Sequence, residues 1–348
     1  MKRYLLALAC CGALGAEPIQ VPVDATYSLP GRLDIPAGAR GVVVLIHGSG
    51  ANNMDEELAE ATLDKKPNPF FADLSSALQA QGLAVLRYDK RNFALGQSYA
   101  QDPTSVEALL KSTREHPGLA FIQDAASAVA VARQKCPGLP VFLIGHSEGT
   151  WVAQQVARQD AQISGLGLIG TSGSPIDTLV LEQTVYRSLD YFNDLDKNHN
   201  LVLEPGELND TLRPQMGLLD LDKDGNLSRS EFQGGNESNL ILKPIIPAAW
   251  RRDEAGLPTM AQMVSEATIP IVFLQGDWDN QTPAYFVKAL DVCETAVWKK
   301  GNKRFVYFPK CGHALDPRDR YDDIVYRRPD KATFDRAASE LARFWFKQ

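Results

Sequence analysis

The stretch best equipped for chemistry is Gly145-His146-Ser147-Glu148-Gly149. It follows the apolar run Val141-Phe142-Leu143-Ile144, which reads as a buried strand. It precedes residues 150–158, where Val152, Ala153, Val156 and Ala157 recur at helical spacing. A serine on a strand–turn–helix with a glycine two residues to either side is a nucleophile elbow. The turn leaves no room for a Cβ at those flanks and lifts the hydroxyl above the sheet. The helix behind it points backbone N–H groups at a developing oxyanion. The chemistry implied is nucleophilic acyl transfer.

Such a serine needs a base, and the base needs a carboxylate to orient it. The chain has five histidines. His47 stands at a strand end, His146 lies inside the elbow, His116 is in a loop, and His199 falls in an acidic segment. His313, in Cys311-Gly312-His313-Ala314, comes just after a strand near the end of the chain and is the predicted base. The acid is expected after the preceding strand, where Gly276-Asp277-Trp278-Asp279-Asn280-Gln281-Thr282-Pro283 supplies two carboxylates. Asp279 is the better placed of the two, with Asp277 as the alternative or a turn cap. The predicted oxyanion donors are the backbone N–H of Glu148 and that of Ser49 or Gly50, within His47-Gly48-Ser49-Gly50.

A second chemistry lies downstream. Residues 220–231 fit a calcium loop of the EF-hand type: Asp220, Asp222 and Asp224 supply oxygens, Gly225 the turn, Asn226 its carbonyl, and Glu231 the closing bidentate carboxylate. A second loop, residues 196–207, offers Asp196, Asn198, Asn200, the Val202 carbonyl, Glu204 and Glu207. Leu201 stands there where glycine is wanted, and carboxylates are fewer, so weaker binding is expected. Only residues 208–219 separate the loops, and the spacing resembles that of dockerin-like calcium repeats. The ion is expected to be structural, stapling a small cap with little apolar core of its own. A calcium-gated lid and a protein-docking surface are the alternatives.

These residues need elements to hold them. Residues 19–35 alternate apolar and polar and read as antiparallel edge strands. Near-continuous apolar runs at 41–46, 83–88, 163–169, 269–274 and 305–308 read as strands buried on both faces. Helices are expected over 70–81, 119–134, 284–292 and 334–346, with a surface loop at 51–69 and an irregular segment from Asp89 to about Pro117. This alternation predicts an α/β fold with a mostly parallel sheet covered on both faces. Residues 175–263 interrupt it and read as a mainly helical cap insertion, entered by a helix over 178–192. The core is then 17–174 plus 264–348. Trp250, Trp278, Met260 and Met263 are candidates for an apolar pocket wall.

The chain has 348 residues, 44% hydrophobic and 23% charged, with a formal net charge of −7. That is ordinary for a globular protein and gives no basis for a nucleic-acid or anionic-membrane surface. Residues 1–16, with Lys2, Arg3 and an apolar run, read as a signal peptide too short for a stable membrane span. The expected location is therefore periplasmic or secreted. Lipid attachment at Cys10 or Cys11 is disfavoured, since neither follows a Leu-small-small run. Of the remaining cysteines, Cys293 and Cys311 are the expected disulfide, with Cys136 left over.

Taken together, His47 to Gly50, Arg87-Tyr88-Asp89-Lys90-Arg91, the elbow, Gly276 to Pro283 and Gly312-His313 resemble the α/β-hydrolase superfamily, more narrowly its bacterial esterases and prolyl-oligopeptidase-like hydrolases. The resemblance covers residues 17–174 and 264–348. It implies an α/β-hydrolase fold and a Ser-His-Asp hydrolase of esters, thioesters or amides. Relatives commonly continue Arg-Gly-x-Gly after Asp-Lys, whereas this chain reads Arg91-Asn92-Phe93-Ala94-Leu95-Gly96. The expected activity is carboxylesterase-like (EC 3.1.1) on a small-molecule ester. A peptidase or amidase anchored by Glu148 or a cap acid such as Asp190 is the alternative within the class. A calcium-dependent docking protein is the alternative outside it.

Overall fold

The computed structural model describes residues 15–58, 65–242, 248–321, 323 and 325–347; residues 1–14 of the expected leader, with Cys10 and Cys11, lie outside them. The core is one twisted sheet of eight strands. β1 (Glu17–Pro22) and β2 (Ser28–Asp34) form an antiparallel edge, and β2 pairs antiparallel with β4 (Ala84–Tyr88). The rest is parallel. β3 (Val42–Ile46) lies between β4 and β5 (Val141–His146), followed across the sheet by β6 (Ile163–Ile169), β9 (Ile271–Gly276) and β10 (Lys303–Phe308). β7 (Val202–Leu203) and β8 (Leu227–Ser228) form a separate antiparallel ribbon in the insertion.

The unbroken apolar runs are explained by burial on both faces. In β3, Val42, Val44 and Ile46 belong to one core cluster, while Val43 and Leu45 belong to the other. Helices Pro117–Lys135, Glu148–Gln159 and Tyr285–Cys293 cover the first face, and Phe70–Ala80 with Lys331–Trp345 cover the second. Register places the active edge. Ile46 pairs with Gly145, His146 with Ile169, Ile169 with Leu274, and Gly276 with Phe308. The carboxyl ends of β3, β5, β6, β9 and β10 therefore finish level, and the turn after each opens on the same side of the sheet.

Several expectations are corrected. The segment after Asp89 is not irregular: it forms helices Arg91–Gln101 and Pro103–Glu115. Asp102 starts the second by accepting from Thr104 N at 3.0 Å, with Pro103 in the first turn. Residues 51–69 are not wholly a surface loop, because Glu56 and Asn68 are buried. Cys293 and Cys311 are not bonded to each other. The helix after β9 carries Cys293 back to the amino end of the sheet, and β10 then carries Cys311 to the carboxyl end. A six-residue strand spans ~20 Å, far beyond the ~7 Å Cα separation that a disulfide tolerates.

The insertion leaves the sheet after β6 and returns at β9. A helical run, Ile176–Leu195, contains a π-type turn at Glu182–Tyr186 and leads to the β7–β8 ribbon and helix Arg229–Leu242. Contrary to expectation, this unit has its own apolar core, with Phe192, Leu203, Leu227 and Phe232 among its buried residues.

At the elbow glycines backbone meets backbone. A Cβ on Gly149 would sit 2.1 Å from the Ile46 carbonyl oxygen, and one on Gly145 would sit 2.1 Å from that of Gly149. Both obstacles are backbone and cannot swing away. Gly149→Ala is expected to destabilise the protein by about 3 kcal/mol or more. Urea unfolding of the variant beside wild type measures it; an unchanged midpoint would refute this packing argument.

Candidate active site

Ser147 follows β5 and begins helix Glu148–Gln159 with φ 53° and ψ −119°. A non-glycine residue there is strained, by ~1–3 kcal/mol, and persists because its surroundings over-determine it. Its N–H donates to the Ile169 carbonyl at 2.9 Å, and its own carbonyl accepts from Thr150 N at 2.9 Å and Thr150 Oγ1 at 2.6 Å. Thr150, which stands where a glycine is common among the hydrolases it resembles, is thus part of the clamp.

His313 comes from the turn after β10. Its backbone abuts Gly170, the residue that follows Ile169 at the end of β6. The Ser147 and His313 turns therefore meet across one strand tip. His313 Nδ1 donates to Asp279 Oδ2 at 2.9 Å, which leaves Nε2 as the basic nitrogen. Asp279 is fully buried and also accepts from Thr282 Oγ1 (2.7 Å), Thr282 N and Gln281 N (2.9 Å each) and Gln275 Nε2 (2.9 Å). Burial alone would push its carboxyl up. The His313 charge and hydrogen bond, with the Thr282 amide and hydroxyl, outweigh it and hold the carboxyl below its ordinary value. Asp277 points elsewhere, to Lys288 at 3.1 Å, so the structure distinguishes the two acids that sequence left open.

The two loops are locked to each other. Arg318, buried, donates to Asp316 Oδ2 at 3.1 Å and to Asn280 Oδ1 at 2.9 Å, while Asp316 accepts from Ala314 N at 3.1 Å. This ties the histidine turn to the residue beside Asp279. Sequence reading missed Arg318, whose partner Asn280 is 38 residues away, and Gln275 and Thr282, which lie close to Asp279 in the chain but carry no signal of their own.

At the turn after β3, the Gly48 N–H donates to Glu56 Oε1 at 2.7 Å and is therefore occupied. The carbonyls of Gly48, Ser49 and Gly50 are held by Asn52, Lys90 and Asn92. Gly50 takes φ +98°, which glycine adopts at no steric cost. Ser49 and Glu148 both face the space beside Ser147. Glu56 also accepts from His146 Nδ1 at 3.0 Å, so one buried carboxylate joins the β3 turn to the elbow. Burial raises Glu56, but the charge and hydrogen bond of His146 outweigh it; the same pairing raises His146 above its ordinary value against burial. Burial also drives His47 down to about 4, so it is neutral. Lys90, buried, donates to Glu148 Oε1 at 2.6 Å. Glu148 is thereby neutralised.

A cavity of about 530 Å³ opens beside Ser147, walled by Trp151 from the core and by Ile176, Trp250 and Met260 from the insertion. Of the other expected wall residues, Met263 faces a different cleft and Trp278 lies near Lys310.

The two acidic loops have matching geometry. Leu201 takes φ 66° and Gly225 φ 85°, and each donates its N–H to the first aspartate of its loop, Asp196 at 2.8 Å and Asp220 at 3.0 Å. Val202 N donates to Asn200 at 2.8 Å, and Asn226 N to Asp224 at 2.7 Å. Glu207 and Glu231 close the loops by accepting from Lys197 N at 2.7 Å and Leu221 N at 2.8 Å. Asn198 and Asp222 likewise accept from Asn200 N (3.0 Å) and Asp224 N (3.1 Å). The ribbon pairs Leu203 with Leu227, so both loops share the register that begins at Asp196 and Asp220.

Residues 43–326 match the family described as "Alpha/beta hydrolase family". Over 177 residues the chain is 30% identical to esterase EstD of Thermotoga maritima, a match covering 50% of this chain and 38% of that protein. The chain thus spans well under half the length of this curated relative. Among solved structures, an esterase of Pyrococcus furiosus superposes with TM-score 0.52 at 13% identity, covering 95% of this chain and 91% of that one. Est1E from Butyrivibrio proteoclasticus does so with TM-score 0.50 at 14%, covering 95% and 99%. A Mycobacterium tuberculosis puromycin-hydrolyzing peptidase gives 0.53 at 11%, covering 95% and 39%. The family match runs from β3 past His313 and takes in every turn that builds the site, and the chain belongs to the alpha/beta hydrolase family.

Proposed function

We propose that the chain is an exported serine hydrolase that cleaves carboxylic esters through an acyl-enzyme on Ser147. The carrying observation is the buried His313–Asp279 pair at 2.9 Å, set across the β6 tip from a strained serine. In this reading His313 Nε2 takes the Ser147 hydroxyl proton as Oγ attacks the ester carbonyl carbon. The oxyanion is met by the N–H of Glu148 and that of Ser49 or Gly50. The bond to the alcohol oxygen then breaks, and His313 returns the proton to the departing alkoxide. Water, deprotonated by the same nitrogen, then attacks the acyl carbon, the bond to Ser147 Oγ breaks, and His313 returns the proton to Oγ as the acid leaves. The esterase named among the relatives supports an ester substrate. The pairing of Glu148 with Lys90 speaks against its use as a peptide-terminus anchor, which favours the ester over the peptidase reading. A pure docking protein would have no use for the His313–Asp279 pair.

Calcium is proposed as a structural ion of the insertion. Asp220, Asp222 and Asp224 place carboxylate oxygens within 4.8 Å of one another, and Asp220 Oδ1 is buried without a hydrogen-bond partner. Three like charges and an orphaned oxygen fit a hard cation. With Asn226 and Glu231 they would hold one ion; Asp196, Asn198, Asn200, Val202 and Glu207 would hold a second, more weakly. The bound ion would neutralise the cluster and tie helix ends together, away from the acyl chemistry. Among the described residues no helix is long and apolar enough to cross a membrane.

Ser147→Ala is expected to lower kcat/KM on p-nitrophenyl esters by at least about 10⁴-fold with an unchanged circular dichroism spectrum. Asp279→Asn is expected to lose about 10³–10⁴-fold, since the amide no longer fixes the imidazole tautomer. Near-wild-type turnover by either variant would sink the corresponding assignment. Chelation with EDTA is expected to lower the melting temperature by at least about 5 °C, an effect mostly abolished in Glu231→Gln. Identical melts with and without chelator would reject the calcium role.

A further inference from the structure

The cavity beside Ser147 has one asymmetry that bears on what the site accepts. Its wall includes Ser147 and both residues flanking the oxyanion position, Ser49 and Glu148, while among the described residues neither His313 nor Asp279 contributes to it. In acyl transfer the leaving alkoxide must sit within hydrogen-bond reach of the base, because it collects its proton there. The leaving group therefore occupies the His313 side, and a cavity on the side away from that histidine receives the acyl portion.

The wall is also chemically specific. Trp151, from the elbow helix, and Trp250, from the insertion, lie 5.7 Å apart and tilted by 46°, and Phe121 backs Trp250 at 5.8 Å. The rest of the apolar lining is aliphatic, including Leu179 and Leu257, and is interspersed with polar groups such as Ser172 and Gln183. Asp177 is paired with Arg251, and Glu148 with Lys90, so among the described residues no cation lines the cavity without a carboxylate partner. Glu254, whose carboxyl is raised above its ordinary value by burial, accepts among the described residues the Ile176 N–H, at 3.1 and 3.2 Å. An anionic acyl group would find no unpaired cation among the described lining residues, and an acetyl group would leave most of about 530 Å³ unfilled. A planar ring can pack against the tilted indoles in the edge-to-face manner that aromatic groups prefer.

We infer that the insertion builds an acyl-side subsite for uncharged, ring-bearing acyl groups of the phenylalkanoyl class. This deepens the serine-hydrolase reading of the same site and rests on it. Selection is by Trp151 and Trp250, with Leu257 setting the depth.

The test compares p-nitrophenyl 3-phenylpropanoate with p-nitrophenyl acetate. The expected kcat/KM ratio is at least about tenfold in favour of the phenylpropanoate, a difference of about 1.4 kcal/mol in transition-state binding. Leu257→Trp, which fills the cavity, and Trp250→Ala, which removes its aromatic wall, should each lower that ratio at least about tenfold. Leu257→Trp keeps the test alive if Trp250→Ala does not fold. A wild-type preference for acetate, or a ratio unmoved in folded Leu257→Trp, overturns the inference. If wild type cleaves neither ester, the reaction assignment fails separately, and tryptophan fluorescence titrated with the intact phenylpropanoate decides the subsite. Saturable quenching lost in Leu257→Trp supports it, and absent quenching overturns it.

Discussion

The molecule depends on the contact between the Gly149 backbone and the Ile46 carbonyl, where a Cβ would come within 2.1 Å. It presses the start of the elbow helix onto the end of β3. The turns that carry Ser147 and Ser49 belong to these two neighbours, so their separation follows from backbone packing. Side chains then lock what packing sets. Glu56 bonds Gly48 on one strand end and His146 on the next, and Arg318 does the same for the histidine and acid loops. These polar links are buried, where hydrogen bonds are strong and an unpaired group is costly. The strained serine therefore has no cheap route to relaxation.

What was legible in the sequence was local. β-branched runs announced strands, the glycines around Ser147 announced the elbow, and oxygen-bearing residues at alternate positions announced the acidic loops. Ser147, Asp279 and His313 could be named because each sits beside a strand end with a recognisable local signature. Glu56 could not: its partner His146 is 90 residues away, and the surrounding stretch is polar enough to pass for a surface loop. Lys90 and Glu148, 58 residues apart, escaped for the same reason. Helix Pro103–Glu115 buries only Val106 and Thr113, so its periodicity is faint, although Asp102 and Pro103 mark its start. The Cys293–Cys311 pairing failed because residue spacing says nothing about which end of a sheet a helix returns to.

The insertion shows both outcomes. Leu201, which stands where glycine is wanted, adopts the left-handed conformation at φ 66°, as Gly225 does at φ 85° in the companion loop. The separate apolar core around Phe192 and Phe232 was not foreseen, because its leucines are dispersed among acidic and amide residues. That core means the insertion has apolar cohesion in addition to whatever an ion would contribute.

The insertion leaves at the carboxyl tip of β6, and the chain re-enters at the amino end of β9, the parallel neighbour of β6, so the insertion is part of a crossover between two adjacent strands. A crossover segment with a private core can drift in sequence or lengthen without reshaping the strands beneath it. On the proposed reading, substrate choice and bond-breaking chemistry are carried by parts of the chain able to change at different rates. New specificities could be reached by altering the insertion while the residues beneath it stay as they are.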